Sequence, residues 1–549
     1  MRLMLVSAAL LLAPLLWAQD DVRRGFDQLA QAHPGFLKVQ KLPGIDNLSF
    51  VATIRDFSVK GDLPGVLLLG SVHGREQEPG VACLRVARAI LEDKAFVDQL
   101  KGRELIIIPS ANPAGRLAHL DGVPLAFDDD RDGKSDEDGP SDVNGDGLIT
   151  QMRVKRKGGR YVASKLDPRV LIEAEPGQPG EWDVYWEGKD DDGDGRINED
   201  ARGTVTLAND WSIRWSDGQP GANRFMMQLA ETRALADFII AHPSLVAGFQ
   251  LRSIGGEPQF AQGPRKDQRA PGAAEANRDK DMTAMLARLW PETEKSAVKG
   301  DSEGAGNLLD WLYESRGMLA ANLFLAPVPE PKSEEEKKDD DEEKEEEKKE
   351  EQKPKLKREL PSVEESTQLA WLSYAPRDYV EWKTFTHPQL GEVEIGGWRI
   401  DRRCDPIEPD AEAGAARTAE YVKAVLLAMP RLEVPKVEVE DKGDNLYRVR
   451  VTLHNAGKLD YKCKFSEDKR IRMPLFVSLA DTKDVELISG TRRQDCENIR
   501  ADETATFEWF VRVKGKDTEI KFALESDITG NFDHTAVIKD CPAIKTEDE

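Results

Sequence analysis

Hydrophobic positions fall along this chain in two rhythms. Up to about residue 330, short unbroken apolar runs alternate with stretches of helical period. Val66 to Gly70 (VLLLG) and Leu105 to Pro109 (LIIIP) read as strands buried on both faces, and Leu245 to Leu251 and Leu319 to Leu325 read the same way. Val81 to Leu91 and Glu231 to Ala241 place apolar residues at helical spacing, and a further helix starts at Leu308 to Tyr313. Buried strands alternating with helices predict an α/β fold, a mixed sheet flanked by helices. A helix-like stretch from Ala415 to Met429 closes this region. Beyond residue 430 the period drops to two, as in Tyr447 to Leu453 and Thr506 to Val513, which predicts a C-terminal β-sandwich of the immunoglobulin or fibronectin kind.

These rhythms divide the 549 residues into a leader (1–18), an α/β domain (19–430) and a sandwich (431–549). Arg2, the apolar run Leu3 to Leu16 and Ala18 have the order of a cleavable signal peptide. The expectation is export, to a periplasm or the extracellular space, with no membrane span once the signal is removed. The α/β domain is interrupted twice: by an acidic insertion at 121–202, and by a charged low-complexity run at 330–359, expected to be disordered. Five cysteines without a CxxC spacing make neither a disulfide scaffold nor a thiolate zinc site, although a Cys463–Cys496 bridge is compatible with export. Cys83 lies in a helical apolar pattern and is expected to be buried.

The net charge of −24 argues against nucleic acid and against an anionic membrane surface. Half of it lies in residues 128–146 and 187–200. There the spacing Asp-x-Asp/Asn-x-Asp-Gly occurs three times: Asp128, Asp130 and Asp132; Asp142, Asn144 and Asp146; Asp190, Asp192 and Asp194. Alternating oxygen ligands before a turn-forming Gly open a calcium loop, so calcium is the expected cofactor. No Glu stands at the twelfth position, which leaves truncated loops that Asp136 and Asp138, or Asn198 and Asp200, would complete. The bland alternative is a solvated acidic surface.

The first buried strand runs into Ser71-Val72-His73-Gly74-Arg75-Glu76, where His73 and Glu76 can reach one metal ion. The next leads into Asn112-Pro113-Ala114-Gly115, and later Asp310-Trp311-Leu312-Tyr313 precedes the last strand. This order resembles the zinc metallocarboxypeptidase family, the relatives of carboxypeptidase A, over roughly residues 23–330 and 415–429. The resemblance implies a zinc carboxypeptidase-like sheet, with zinc held by His73, Glu76 and a later His. It also implies an Asn-Arg pair gripping the substrate carboxylate and a general-base Glu on the last strand. Here Arg252, or its neighbour Leu251, stands at the third-ligand position. Ala208 and Asn209 replace the clamp, and Phe324 replaces the base. His119, His242 and Glu257 are the residues that would have to substitute, with His242 better read as a helix cap. The expected protein is a carboxypeptidase-like pseudoenzyme that binds a peptide or an envelope component. The alternatives are an active zinc carboxypeptidase with a non-standard site and a calcium-dependent adhesive or scaffold protein.

Overall fold

A computed structural model describes residues 21–45, 49–118, 122–125, 139–175, 177–191, 193, 195, 197–198, 203–215, 225–261, 279–291, 306–327, 363–400, 405–514 and 518–538. The leader, the run at 330–359, His119, Asp128, Asp130, Asp132, Asp136, Asp138, Asp192, Asp194 and Asp200 lie outside these residues.

The centre is a seven-stranded mixed sheet. Its strands are β1 (Leu37–Lys41), β2 (Phe50–Arg55), β3 (Gly65–Leu69), β4 (Glu104–Ile108), β5 (Leu245–Ile254), β6 (Gln259–Phe260) and β7 (Leu319–Ala326), in the order β1-β2-β4-β3-β5-β7-β6. The four middle strands are parallel and the outer ones antiparallel. Every residue of the four parallel strands is buried, which is why they read as unbroken apolar runs. Flanking helices are α1 (Glu78–Glu92), α2 (Ala230–Ile240), α3 (Leu308–Arg316) and α4 (Glu408–Ala428). Adjacent β5 residues point to opposite faces of the sheet. The Phe249 ring meets Tyr421 of α4, whereas Gly248 faces Leu312 of α3, so α3 and α4 cover opposite faces. Cys83 on α1 is fully buried.

The region 121–202 is more than an acidic insertion. Strands Gln151–Gly159, Tyr161–Ala163, Leu171–Glu173 and Gly180–Trp186 join Tyr379–His387 and Gly391–Trp398 in a six-stranded sheet. The pairing of Gln151–Gly159 with Gly391–Trp398 links segments from either side of the 330–359 run. Helix Val363–Tyr374 supplies Trp371, which clusters with Ile254 at the end of β5, Ala326 at the end of β7 and Trp398 of the six-stranded sheet.

The sandwich is two four-stranded sheets spanning Leu432 to Ile538. Strand Leu446–Asn455 alternates buried and half-buried positions throughout. Its core is continuous with that of the α/β domain. Arg472 of the sandwich is half-buried and donates to the carbonyls of Arg316 (3.0 Å), Pro243 (2.7 Å) and Leu245. Burial without a carboxylate partner pushes its pKa down to about 10. In the reverse direction, Asp279 of the α/β domain accepts the backbone N–H groups of Lys464 (2.5 Å) and Phe465 (3.1 Å). Cys463 and Cys496 are free thiols, so the bridge between them is not formed. Cys463 instead caps the short helix Lys464–Lys469 by accepting the Ser466 N–H, and Cys496 donates to the Asn498 carbonyl. Among the described residues no helix is long and apolar enough to cross a membrane.

Helix α4 lies against β7 at Gly414, where an added Cβ would come within 2.0 Å of the Leu325 carbonyl oxygen. Gly414→Ala therefore has to lift the helix off the sheet. The expected loss is about 1–3 kcal/mol in denaturant unfolding, despite the better helix propensity of Ala. Unchanged stability would show that this approach is not tight.

Candidate functional site

The C-terminal ends of parallel strands are where open α/β sheets place ligands, and the turns after β3 (His73 to Glu76) and β4 (Asn112 to Gly115) lie there with Arg252 near the end of β5 and Phe324 near the end of β7. Leaving β3, Ser71 adopts a left-handed conformation (φ 46°) that turns the chain sharply. Its hydroxyl donates to the Glu76 carbonyl at 2.9 Å and closes the His73-Gly74-Arg75 loop. Its own carbonyl accepts the Asn112 N–H at 3.0 Å, tying this turn to the one leaving β4. Asn112 accepts the Gly115 N–H (2.9 Å) and donates to the Val72 carbonyl (3.3 Å), so the Asn-Pro-Ala-Gly segment works as a turn and a cap.

Glu76 is 6% exposed and Arg252, at the end of β5, is 8% exposed. The guanidinium donates from Nε and Nη2 to one Glu76 oxygen, each at 2.8 Å. The other oxygen accepts the Ser253 N–H at 3.0 Å. The network continues outward, with the Ser253 hydroxyl donating to Asp405 at 2.9 Å. Asp405 in turn accepts the N–H groups of Gln77 (3.2 Å) and Glu78 (2.9 Å) at the start of α1. Burial raises the Asp405 pKa to about 6, and the charge of Glu76 pushes the same way against the hydrogen bonds it accepts. Glu78 is raised to about 7 by burial although Arg85 pairs with it.

The expected partial zinc site of His73 and Glu76 is therefore engaged differently. Both Glu76 oxygens are committed, and Arg252 beside them is a fixed cation that repels a metal ion. Among the described residues no three His, Cys, Asp or Glu side chains converge on one point. This donor set does not fit zinc. Of the proposed substitutes, His242 donates from Nδ1 to the Phe238 carbonyl at 2.7 Å, as a helix cap, and Glu257 is exposed.

Phe324 is paired in register with Arg252 on the neighbouring strand, so the two residues that the resemblance singles out lie side by side. The Phe324 ring is buried and covers Gly255, where an added Cβ would meet it at 2.2 Å. Ala208 is buried in the turn Leu207–Asn209. The polar work in that segment falls to Asp210, which accepts the N–H groups of Gln228 and Leu229 ahead of α2.

In the acidic loop at 142–147, Asp142 accepts the N–H groups of Gly145 (2.7 Å), Asp146 (3.2 Å) and Gly147 (2.8 Å). Asn144 and Asp146 accept those of Asp146 and Leu148. Asp190 likewise accepts from Gly193 and Gly195. These carboxylates hold backbone, and the calcium reading rests on their spacing alone. Asn198 donates to the Trp186 carbonyl. Glu187, fully buried, anchors the first loop by accepting from Val143, Asn144 and Thr150. Neither Glu187 nor Asp405 carries a local motif, because their partners are distant in sequence.

Residues 431–537 match the model of a domain of unknown function, DUF8731. No curated protein matches the chain. Among solved structures, carboxypeptidase A from Helicoverpa armigera is similar at 14% identity and a TM-score of 0.34, over 56% of this chain and 63% of that one. Thrombin-activatable fibrinolysis inhibitor is similar at 11% and 0.33, over 56% and 65%. A metallo-carboxypeptidase from Burkholderia cenocepacia is similar at 11% and 0.32, over 73% and 66%. The chain thus spans just under two thirds of each of these structures.

Two predictions follow from the ion pair and its extension. Glu76→Gln and Arg252→Met should each cost about 3–5 kcal/mol by leaving a buried charge unpaired, and the double variant should lose less than the two losses combined. Additive losses in denaturant melts would show that the side chains are not coupled. Asp405 holds a proton more tightly when folded than unfolded. Its stabilising contribution is complete below about pH 4 and is lost as pH rises through about 6. Relative to Asp405→Asn, the natural protein should lose roughly 2–3 kcal/mol across that range. A pH-independent difference between the two would contradict the burial argument.

Proposed function

We propose that this is an exported carboxypeptidase-like protein whose peptidase centre has been replaced by a buried ion pair, and that it acts by binding a peptide or envelope component. The observation that carries the reading is Arg252 on Glu76, with Phe324 in the adjacent register position. Hydrolysis of this kind needs an ion to polarise the carbonyl and activate water, and a base to accept its proton. In this chain the first is opposed by a fixed guanidinium and the second position holds a hydrocarbon ring. What supports an evolved centre, as against a damaged one, is satisfaction: both Glu76 oxygens have donors and Phe324 is closely packed. A working peptidase with other ligands and an adhesive scaffold are the competing readings.

The test is zinc content by mass spectrometry together with C-terminal residue release from a peptide library. The natural protein should hold no stoichiometric zinc and release nothing. Arg252→His should gain zinc affinity by freeing Glu76, with no turnover, because Phe324 remains. Stoichiometric zinc with turnover that His73→Ala abolishes would overturn the proposal.

A further inference from the structure

The six-stranded sheet carries a cavity of about 550 Å³ that the Glu76–Arg252 cluster does not use. That volume lies within the roughly 300–1,000 Å³ usual for small-ligand pockets. Six aromatic residues line it: Tyr161, Tyr185, Trp186, Tyr379, Trp382 and Trp398. They come from four different strands, so the pocket exists only in the folded sheet.

The rings are held in place. The Tyr379 hydroxyl (2.6 Å) and the Trp382 indole N–H (3.1 Å) both donate to the Arg169 carbonyl. Tyr379 meets Trp398 edge-on, with centroids 5.2 Å apart. Gly397, at a positive φ of 75°, lets the Trp382 indole lie across the strand, since a Cβ there would meet the ring at 2.8 Å. With the polar edges of Tyr379 and Trp382 committed, what they offer a ligand is ring surface.

The polar groups on the wall are neutral or neutralised. Arg169 is paired with Asp167 and Glu381. Gln151 accepts the Trp398 N–H with its oxygen and has no acceptor for its amide N–H2 group among the described residues. Gln368 donates to the Leu171 carbonyl and has no donor for its amide oxygen. The Tyr161 hydroxyl likewise has no protein partner among the described residues. The pocket thus combines aromatic faces with neutral groups that have no partner among the described residues: the Gln151 amide N–H2 and Trp186 indole N–H as donors, the Gln368 and Asn198 amide oxygens as acceptors, and the Tyr161 and Tyr185 hydroxyls.

We propose that this pocket binds a neutral saccharide. A sugar ring has a C–H face that packs on aromatic surface and a rim of hydroxyls that both donate and accept. A purely apolar ligand would leave both glutamine groups unpaired, at a cost. A quaternary ammonium would find rings but no carboxylate free to balance its charge. The proposal is independent of the reading of Glu76 and Arg252, so either can fail alone.

The full-length protein is titrated with an array of neutral saccharides, free monosaccharides and short oligomers, followed by tryptophan fluorescence and calorimetry. Choline and a proline-rich peptide serve as comparisons. At least one saccharide should saturate. Binding should weaken at least about tenfold in Trp382→Ala and be kept in Trp382→Phe. If Trp382→Ala lowers the melting temperature, Tyr161→Ala, which removes no hydrogen bond within the protein, should show the same loss in a stable fold. Preference for oligomers over monosaccharides would identify a glycan chain as the source, and equal affinity a free sugar. No saturation by any saccharide at ~10 mM overturns the proposal. So does binding indifferent to both variants, or occupancy by choline or the peptide alone.

Discussion

The carboxylate of Glu76 is the point around which the C-terminal edge of the central sheet is assembled. It receives Arg252 and the Ser253 backbone from β5 while sitting in the turn that leaves β3. Two adjacent parallel strands are thereby joined beyond the last ladder bond of their pairing. Through Ser253 and Asp405 the same network reaches the first N–H groups of α1, so a helix start, a strand end and a turn share one set of hydrogen bonds. A buried carboxylate requires compensation, and here both of its oxygens are engaged by protein donors. Phe324 then closes the space beside it with an apolar ring packed on Gly255.

Much of this was legible in the chain because it depends on local pattern. Runs such as VLLLG and LIIIP read as strands buried on both faces and are so in the fold, and Arg252 and Phe324 stand out in the sequence as departures from the pattern the chain resembles. Their consequence was not legible. Nothing in the sequence says that Arg252 and Glu76, 176 residues apart, form a pair. The strand Gln151–Gly159 (QMRVKRKGG) hides its period beneath basic residues, because one of its faces carries Arg153 stacked between Trp182 and Trp382. The acidic spacings drew attention to divalent cations, whereas the Asp142 and Asp190 carboxylates bind the backbone of their own loops.

The sandwich is joined to the α/β domain as a continuation of it. Arg472 fills three carbonyls at element ends, and Asp279 returns the favour to two N–H groups of the short sandwich helix. Groups that an isolated domain would leave to water are thus satisfied across the boundary. With a core that runs through both domains, the interface has the character of an interior.

The six-stranded sheet takes strands from both sides of the connection between Ala326 and Val363, and α4 returns from the far side to lie on β7 and α1. The two stretches of chain are interleaved by ladder bonds and packing at several places. Covalent continuity across that connection is therefore incidental to the architecture: severed there, the polypeptide would become two while the folded particle stayed one.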